Sequence, residues 1–346
     1  MTSIGPVPTA RGLEGDSWRY AARRVGTGFF RHRGIDSAAA LTFFSTLALF
    51  PGALIVVSIY AIASGGGTQA VDNITDIAAQ FLRHSTVVTI QGPLHSLLNI
   101  PNPVIALCFG IVLSIWTVSS YATAFGRAMN SVYEVDEGRM FWKFRGYMVL
   151  LALVLIVLCS AMAAIVLATP SVSAAIGVRF GIPAFWIGLW NVLKWVALTA
   201  IAILVVATIY YFTPNVRHLR IRWVSLGAAF AIIVAGSATT AFVIYLATID
   251  GYNRVYGWLG GAIALLLWQY IVNIALVLGA EADAEIVRIR QLSAGIPAET
   301  TIVLPPRDTR RNLKNAERQS RFEREGRELR ERADAERADA TSESAG

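Results

Sequence analysis

Residues 147–169 read YMVLLALVLIVLCSAMAAIVLAT, a run with no charged side chain, bounded by Arg145 before it and with no further charge until Arg179. Wound as a helix at about 1.5 Å per residue, a run of this length extends about 35 Å and crosses a hydrocarbon core of about 30 Å. It has no polar stripe to turn toward water, as the surface helix of a soluble domain would. Working outward, the same pattern recurs at Ala38–Ala63 and Val104–Tyr121 before it, and at Gly188–Phe212, Trp223–Ala247 and Gly257–Ala280 after it. Lipid offers backbone groups no partners, so a repeated pattern of this length specifies helices. The fold class is therefore all-α: a polytopic membrane protein with six transmembrane helices and interfacial amphipathic helices.

Composition agrees. The chain is 55% hydrophobic and 15% charged over 346 residues, and from Arg307 onward it carries 11 basic and 10 acidic side chains, leaving few charges for the remainder. Cys108 and Cys159 both fall inside apolar runs and read as buried structural thiols. The first 35 residues are basic and lack the apolar core of a cleavable signal.

Positive loop residues set orientation. Fifteen Lys or Arg precede span 1, lie between spans 2 and 3, lie between spans 4 and 5, or directly follow span 6; the opposite side carries Arg83, Arg179, Arg254 and, near the outer end of span 4, Lys194. Both termini are expected in the cytoplasm of an inner-type membrane protein. Lys194 is expected to snorkel outward beside Trp190 and Trp195.

Three regions follow. Residues 1–35 form a basic N-terminal segment in which Ser17–Arg33 places Trp18, Ala21, Ala22, Val25 and Phe29 on one helical face and arginines on the other, an interfacial helix drawn to anionic lipid. Residues 36–290 hold the spans. Residues 291–346 form a charged tail, irregular over Ile296–Pro306 and then either a solvated helix or disordered. In the first outer loop, Val71–Arg83 keeps a helical period and ends toward the Gly92-Pro93 turn.

Polar residues inside the spans are the functional candidates, because a charge at mid-bilayer costs about 2.5–3.5 kcal/mol. Gln269 and Asn273, four apart on span 6, must face into the bundle. Glu281, Asp283 and Glu285 close that span, where carboxylates oppose the helix dipole and need compensation, with Arg127 and Arg145 the nearest by topology. Glu281 reads as a structural ion pair or as a proton or headgroup site. Arg127, Asn130 and Tyr133 follow span 2 at i, i+3, i+6 as one polar stripe, and Asp36 is expected to cap span 1 or a break before it. The candidate path or headgroup-binding residues are thus Arg127, Asn130, Gln269, Asn273, Glu281 and Asp283. Helix packing is expected at Gly227, Ala231 and Ala235 on span 5, and at Gly257, Gly260 and Gly261 on span 6. Pro51 interrupts span 1.

His32, His84, His95 and His218 show no zinc spacing, and the sequence has no phosphate-binding loop, nucleophile elbow or acidic two-metal cluster. No cofactor, catalytic residue or metal site is expected. The expected partners are membrane lipids, with a second copy of the chain or an envelope protein left open. The nearly balanced tail argues against nucleic acid.

The stretch DSAAALTFFSTLALFP (36–51), the spacing Arg127-x-x-Asn130-x-x-Tyr133, and the last span with YGWLGG (256–261), LWQY (267–270) and LGAE (278–281) together resemble the YihY/BrkB family. The resemblance covers about Trp18–Arg290. It implies a six-span bacterial inner-membrane protein, of a family once labelled ribonuclease BN and now connected with movement of envelope lipids or their precursors. Two positions depart from the family pattern. Asp283 stands where many members have an asparagine, and Phe44 where a tyrosine is frequent. The resemblance implies a transporter-like protein that moves a lipid or amphiphile without its own ATPase; the alternative is a non-transporting scaffold for envelope assembly.

Overall fold

A computed structural model describes residues 15–64, 102–168, 170–217, 225–248 and 252–343. The expected outer-loop helix over 71–83 and the Gly92-Pro93 turn lie outside the described residues. Within them the chain forms α1 (Gly15–Arg31), α2 (Gly34–Ser64), α3 (Pro103–Val132), α4 (Phe141–Leu167), α5 (Pro170–Phe180), α6 (Ala184–Phe212), α7 (Leu226–Thr248), α8 (Tyr252–Ser293) and α9 (Arg310–Glu343). Helices α2, α3, α4, α6, α7 and α8 are long and apolar enough to cross a membrane. The chain is an all-α, multi-pass membrane protein.

The apolar runs locate the spans, and the helices outlast them. α3 begins at Pro103, where a missing N–H is harmless, with Asn102 capping Ile105 N at 3.3 Å. It continues through Val132, more than two turns beyond the apolar run. α8 is 42 residues long and continues thirteen residues past Ala280. Glu281, Asp283 and Glu285 therefore lie inside a helix, and the expected conflict with a helix C-terminus does not arise. Three residues, 249–251, separate α7 from α8. α5 is an addition that the apolar pattern did not announce.

The strongest packing is α2 against α3 and α7 against α8, with α8 also lying along α2. α2 runs unbroken through Pro51. Gly110 of α3 faces this point; a Cβ there would stand 3.1 Å from Ile55 Cγ1 and 3.4 Å from the Pro51 carbonyl oxygen. α7 and α8 meet through small residues as expected, at Gly227 and Ala231. The facing residue is Gly279, however. A Cβ on Gly279 would lie 2.6 Å from Gly227 O, and one on Gly227 would overlap the Gly279 carbonyl. Gly261 is corrected. It is exposed, and a Cβ there meets nothing within 4 Å. Gly260 is buried, Ala235 is half-buried, and the surroundings of Gly257 lie outside the described residues.

Three further readings change. Cys108 and Cys159 are exposed, so in a bilayer they face lipid: an apolar span does not imply a protein-buried thiol. Asp36 lies within the first turn of α2, because the helix starts at Gly34 directly after Arg33, which adopts φ 54°. Lys194 is buried; its Nζ donates to Asn191 Oδ1 at 3.3 Å and lies 5.9 Å from the Trp195 ring. It does not snorkel free.

Candidate functional site

Two polar layers sit one above the other along α8. The first lies within the membrane-crossing part. Gln269 Oε1 accepts from Ser45 Oγ at 2.9 Å and Thr46 Oγ1 at 2.8 Å, both on α2. One turn on, Asn273 Oδ1 accepts from Tyr121 OH of α3 at 3.0 Å, and its amide donates to Thr42 Oγ1 of α2 at 3.2 Å. Both amides are buried. They face inward because i and i+4 share a helix face and lipid supplies no partners. Trp268 donates to Thr239 at 3.1 Å, tying α8 to α7.

The second layer forms where α1, the last turns of α3 and α8, and the segment after α8 converge; we refer to it as the charged end. The partner expected for Glu281 is corrected here. Arg127 is exposed and turned away, since three-residue steps rotate about 60° each around a helix, carrying it off the face shared by Asn130 and Tyr133. Glu281 is fully buried and pairs instead with His32, at 2.7 Å from Nδ1 to Oε1. Its second oxygen, Oε2, is buried without a hydrogen-bond partner among the described residues, directly beneath Gly28 of α1. One turn on, Glu285 bonds Arg24 Nε at 3.0 Å and Arg288 Nε at 3.2 Å. Arg288 is completely buried and also donates to Ala298 O at 2.6 Å and Glu134 Oε1 at 3.1 Å. Glu134, held at φ 55°, also accepts from Arg31 at 2.8 Å and from the backbone N–H of Ile302 at 3.0 Å. Three acids thus meet three arginines and a histidine in one closed knot. Buried charges persist only when paired in this way.

The knot changes the reading of α1. Arg24 and Arg31 turn toward the bundle's acids rather than lying on the opposite face, while Ala21, Gly28 and Phe29 are buried. α1 is docked on the bundle, with Trp18 and Phe30 left exposed beside it.

Asp283 takes a different role from Glu281. Tyr133 OH donates to its Oδ2 at 2.9 Å, and Gly227 at the start of α7 lies directly against it. It stands at the first turn of α7, where a negative group is favoured. Asn130 also bridges structure: its amide donates to Glu137 at 2.9 Å, and its oxygen accepts from Asn215 N at 2.8 Å. Asn215 in turn bonds Asp136 O and Asp308 O at 3.0 and 2.9 Å. Arg139 joins Glu137 at 2.7 Å and stacks on Phe144, and Arg307 donates to Val216 O and Tyr211 O. Residues 291–309, expected to belong to the tail, are therefore part of the body. Ala298 and Ile302 are buried, and Val216 bridges Pro306. The charged helix begins only at Arg310 and is exposed.

Of the six candidates, the structure brings Gln269, Asn273 and Glu281 onto one row of α8, facing α1 and α2. Asp283 and Asn130 become anchors for other elements, and Arg127 stands apart on the rim of an open groove with Asn130, Ser131, Glu134 and Glu137. His32, Glu134 and Arg288 were not singled out as site residues. Only the Glu285–Arg288 spacing, i to i+3, offered a local signal.

The virulence factor BrkB family model matches residues 25–300. Among curated proteins, the chain is 27% identical to the ribonuclease-like protein YfkH of Bacillus subtilis (strain 168), over 73% of this chain and 90% of that protein. It is 26% identical to a UPF0761 membrane protein of Xanthomonas oryzae pv. oryzae (strain PXO99A), over 76% of this chain, and 27% identical to one of Xanthomonas campestris pv. campestris (strain B100), over 73%. The chain spans 59% and 57% of the length of these two Xanthomonas relatives. No solved structure matches it. The match runs from α1 across all six spans and into the segment that seals the charged end, and on that extent the chain belongs to the virulence factor BrkB family.

Proposed function

We propose that this protein is a transporter-like component of the bacterial inner membrane that moves a lipid or amphiphile along a seam between α2 and α8, with no ATPase of its own. The observation that carries this reading is the polar row of α8. Gln269 and Asn273 lie within the span, bonded to Ser45, Thr46 and Thr42 of α2. Past the buried apolar Val277, Glu281 and Glu285 take up the same i+4 row at the charged end. A polar headgroup crossing the bilayer needs exchangeable hydrogen-bond partners along its path, and this row supplies them when the seam parts. The excess of basic residues at the charged end supports a cytoplasmic assignment for it, with both termini inside.

The seam is tested by closing it covalently. In a background with Cys108 and Cys159 replaced by serine, Ala38→Cys of α2 and Val277→Cys of α8, both apolar positions one turn beyond the Thr42–Asn273 contact, are joined by a short disulfide-forming bis-thiosulfonate reagent. In reconstituted vesicles, movement of a headgroup-labelled fluorescent phospholipid stops on bridging and returns on reduction. Lipid movement unaffected by the bridge, or absent from the wild type, removes the seam reading. A scaffold is the second reading, favoured by the exposed 34-residue charged helix α9; a stable envelope partner cross-linked to α9 in a protein that moves no lipid would establish it. Alkaline phosphatase fused after Gly181 is active and after Glu137 inactive; the reverse pattern overturns the orientation.

A further inference from the structure

Along α1, Arg24 and Arg31 flank a pocket of about 100 Å³ that Thr27 and Gly28 complete. Seven residues separate the two arginines, two helical turns, so both fall on one face with Gly28 near the middle. Gly28 leaves the floor without a side chain. Thr27 keeps its hydroxyl on the carbonyls of Arg23 and Arg24, at 3.2 and 3.1 Å, and so does not fill the space.

Neither guanidinium is fully consumed by its ion pair. Arg24 commits its Nε to Glu285, and Arg31 commits one terminal nitrogen to Glu134 and His32. A guanidinium carries five N–H donors, so each keeps others to offer. Their side chains are 24% and 52% exposed, Arg24 mostly within the protein and Arg31 half at the surface. Glu134, Glu281 and Glu285 equal in number Arg24, Arg31 and the fully buried Arg288, and Glu281 Oε2 lies unpartnered among the described residues beneath Gly28, so the pocket's hold on a phosphate rests on the remaining N–H donors of the two arginines rather than on an excess of positive charge. Tyr20 lies under Arg24, with 5.7 Å from guanidinium to ring centre, and Phe30 stands exposed on the same helix. An exposed aromatic on an amphipathic helix seats that helix at headgroup depth.

We infer that Arg24 and Arg31 form a binding site for a phosphate group with free oxygens, carried by an anionic lipid headgroup or by a soluble phosphate. Two guanidiniums lining a space of this size can offer planar pairs of donors to phosphate oxygens, where a lysine pair would supply only point charges. The site is separate from the α2–α8 seam, and its test does not depend on transport.

The full-length protein in neutral detergent is titrated with short-chain phosphatidic acid, short-chain phosphatidylcholine and inorganic phosphate. Binding is read by tryptophan fluorescence, to which Trp18 on α1 reports locally, and checked by thermal shift. Phosphatidic acid binds, and phosphatidylcholine, whose phosphate is a shielded diester, binds at least tenfold more weakly. Inorganic phosphate equal to phosphatidic acid assigns the site to a soluble ligand, and weaker phosphate assigns it to lipid; both outcomes support the site. Arg31→Gln weakens phosphatidic acid binding at least tenfold. Thr27→Leu does the same by filling the pocket while leaving every ion pair in place, which keeps the test valid if Arg31→Gln fails to fold. Arg19→Gln, outside the pocket, leaves binding unchanged. Phosphatidylcholine binding equal to phosphatidic acid, no binding of phosphatidic acid or phosphate by the wild type, or a Thr27→Leu variant that binds like the wild type overturns the proposal.

Discussion

Replacing Gly279 by alanine tests the helix contact on which the α7–α8 pair depends. A Cβ at this position would stand 2.5 Å from Ala231 Cβ, 2.6 Å from Gly227 O and 2.7 Å from Tyr210 OH. Carbon atoms pack at about 3.5–4.0 Å, so the helices must part by roughly an ångström or the neighbours must shift. Overpacking of this kind costs about 1–3 kcal/mol. The Tyr210 hydroxyl donates to Leu276 O from the same place, and displacing it adds about 1 kcal/mol. Gly261→Ala is the matched control. It changes the same residue type in the same helix, where the new methyl meets nothing, so any gain in helix propensity is common to both variants and the difference isolates packing. At about 2–4 °C per kcal/mol, Gly279→Ala should unfold at least ~4 °C below Gly261→Ala. The assay is thermal unfolding in one detergent, followed by the loss of monodisperse protein on size exclusion. Equal midpoints, or a higher one for Gly279→Ala, would refute the close approach.

Arg288→Ala should destabilise the protein by about 3–5 kcal/mol, because it leaves Glu285 and Glu134 buried with too few partners; chemical denaturation of the two proteins compares them. A chain ending at Thr309 should keep the wild-type unfolding midpoint, since α9 is exposed, whereas a chain ending at Gln291 should fail to accumulate, having lost Ala298, Ile302 and Arg307; quantitative membrane immunoblots distinguish them.

The spans were legible because lipid imposes one rule on every turn of a crossing helix, and residues 147–169 obey it without exception. The inward face of α8 was legible for the same reason: Gln269 and Asn273 have nowhere else to go. Pairing was not legible. Glu281 finds His32 across 249 residues, and Arg31 finds Glu134 across 103, through a corner that depends on the positive φ of Arg33. Counting charges by side of the membrane pointed to Arg127, which the rotation of α3 carries away. The boundary of the tail was missed because Ile296–Pro306 reads as a string of breakers. Its contribution comes from backbone groups and from two residues, Ala298 and Ile302, too sparse to form a period. Gly261 was chosen over Gly279 because a small-residue repeat marks a helix ridge without saying which neighbour faces it.

α8 has one more consequence as a mechanical part. It is one unbroken rod with the intramembrane amides partway along it and the ionic knot nearer its far end, so the two layers cannot move independently. A tilt of about 5° pivoting near Gln269 would swing the end at Ser293 by roughly 3 Å, given about 1.5 Å of rise per residue. That is the length of one hydrogen bond, and the slightly smaller swing at Arg288 is enough to part it from Glu134 and Ala298 together, while Glu285 travels with it on the same rod. Whatever parts α8 from α2 in the bilayer is therefore felt at α1, and whatever grips α1 sets how far α8 can lean.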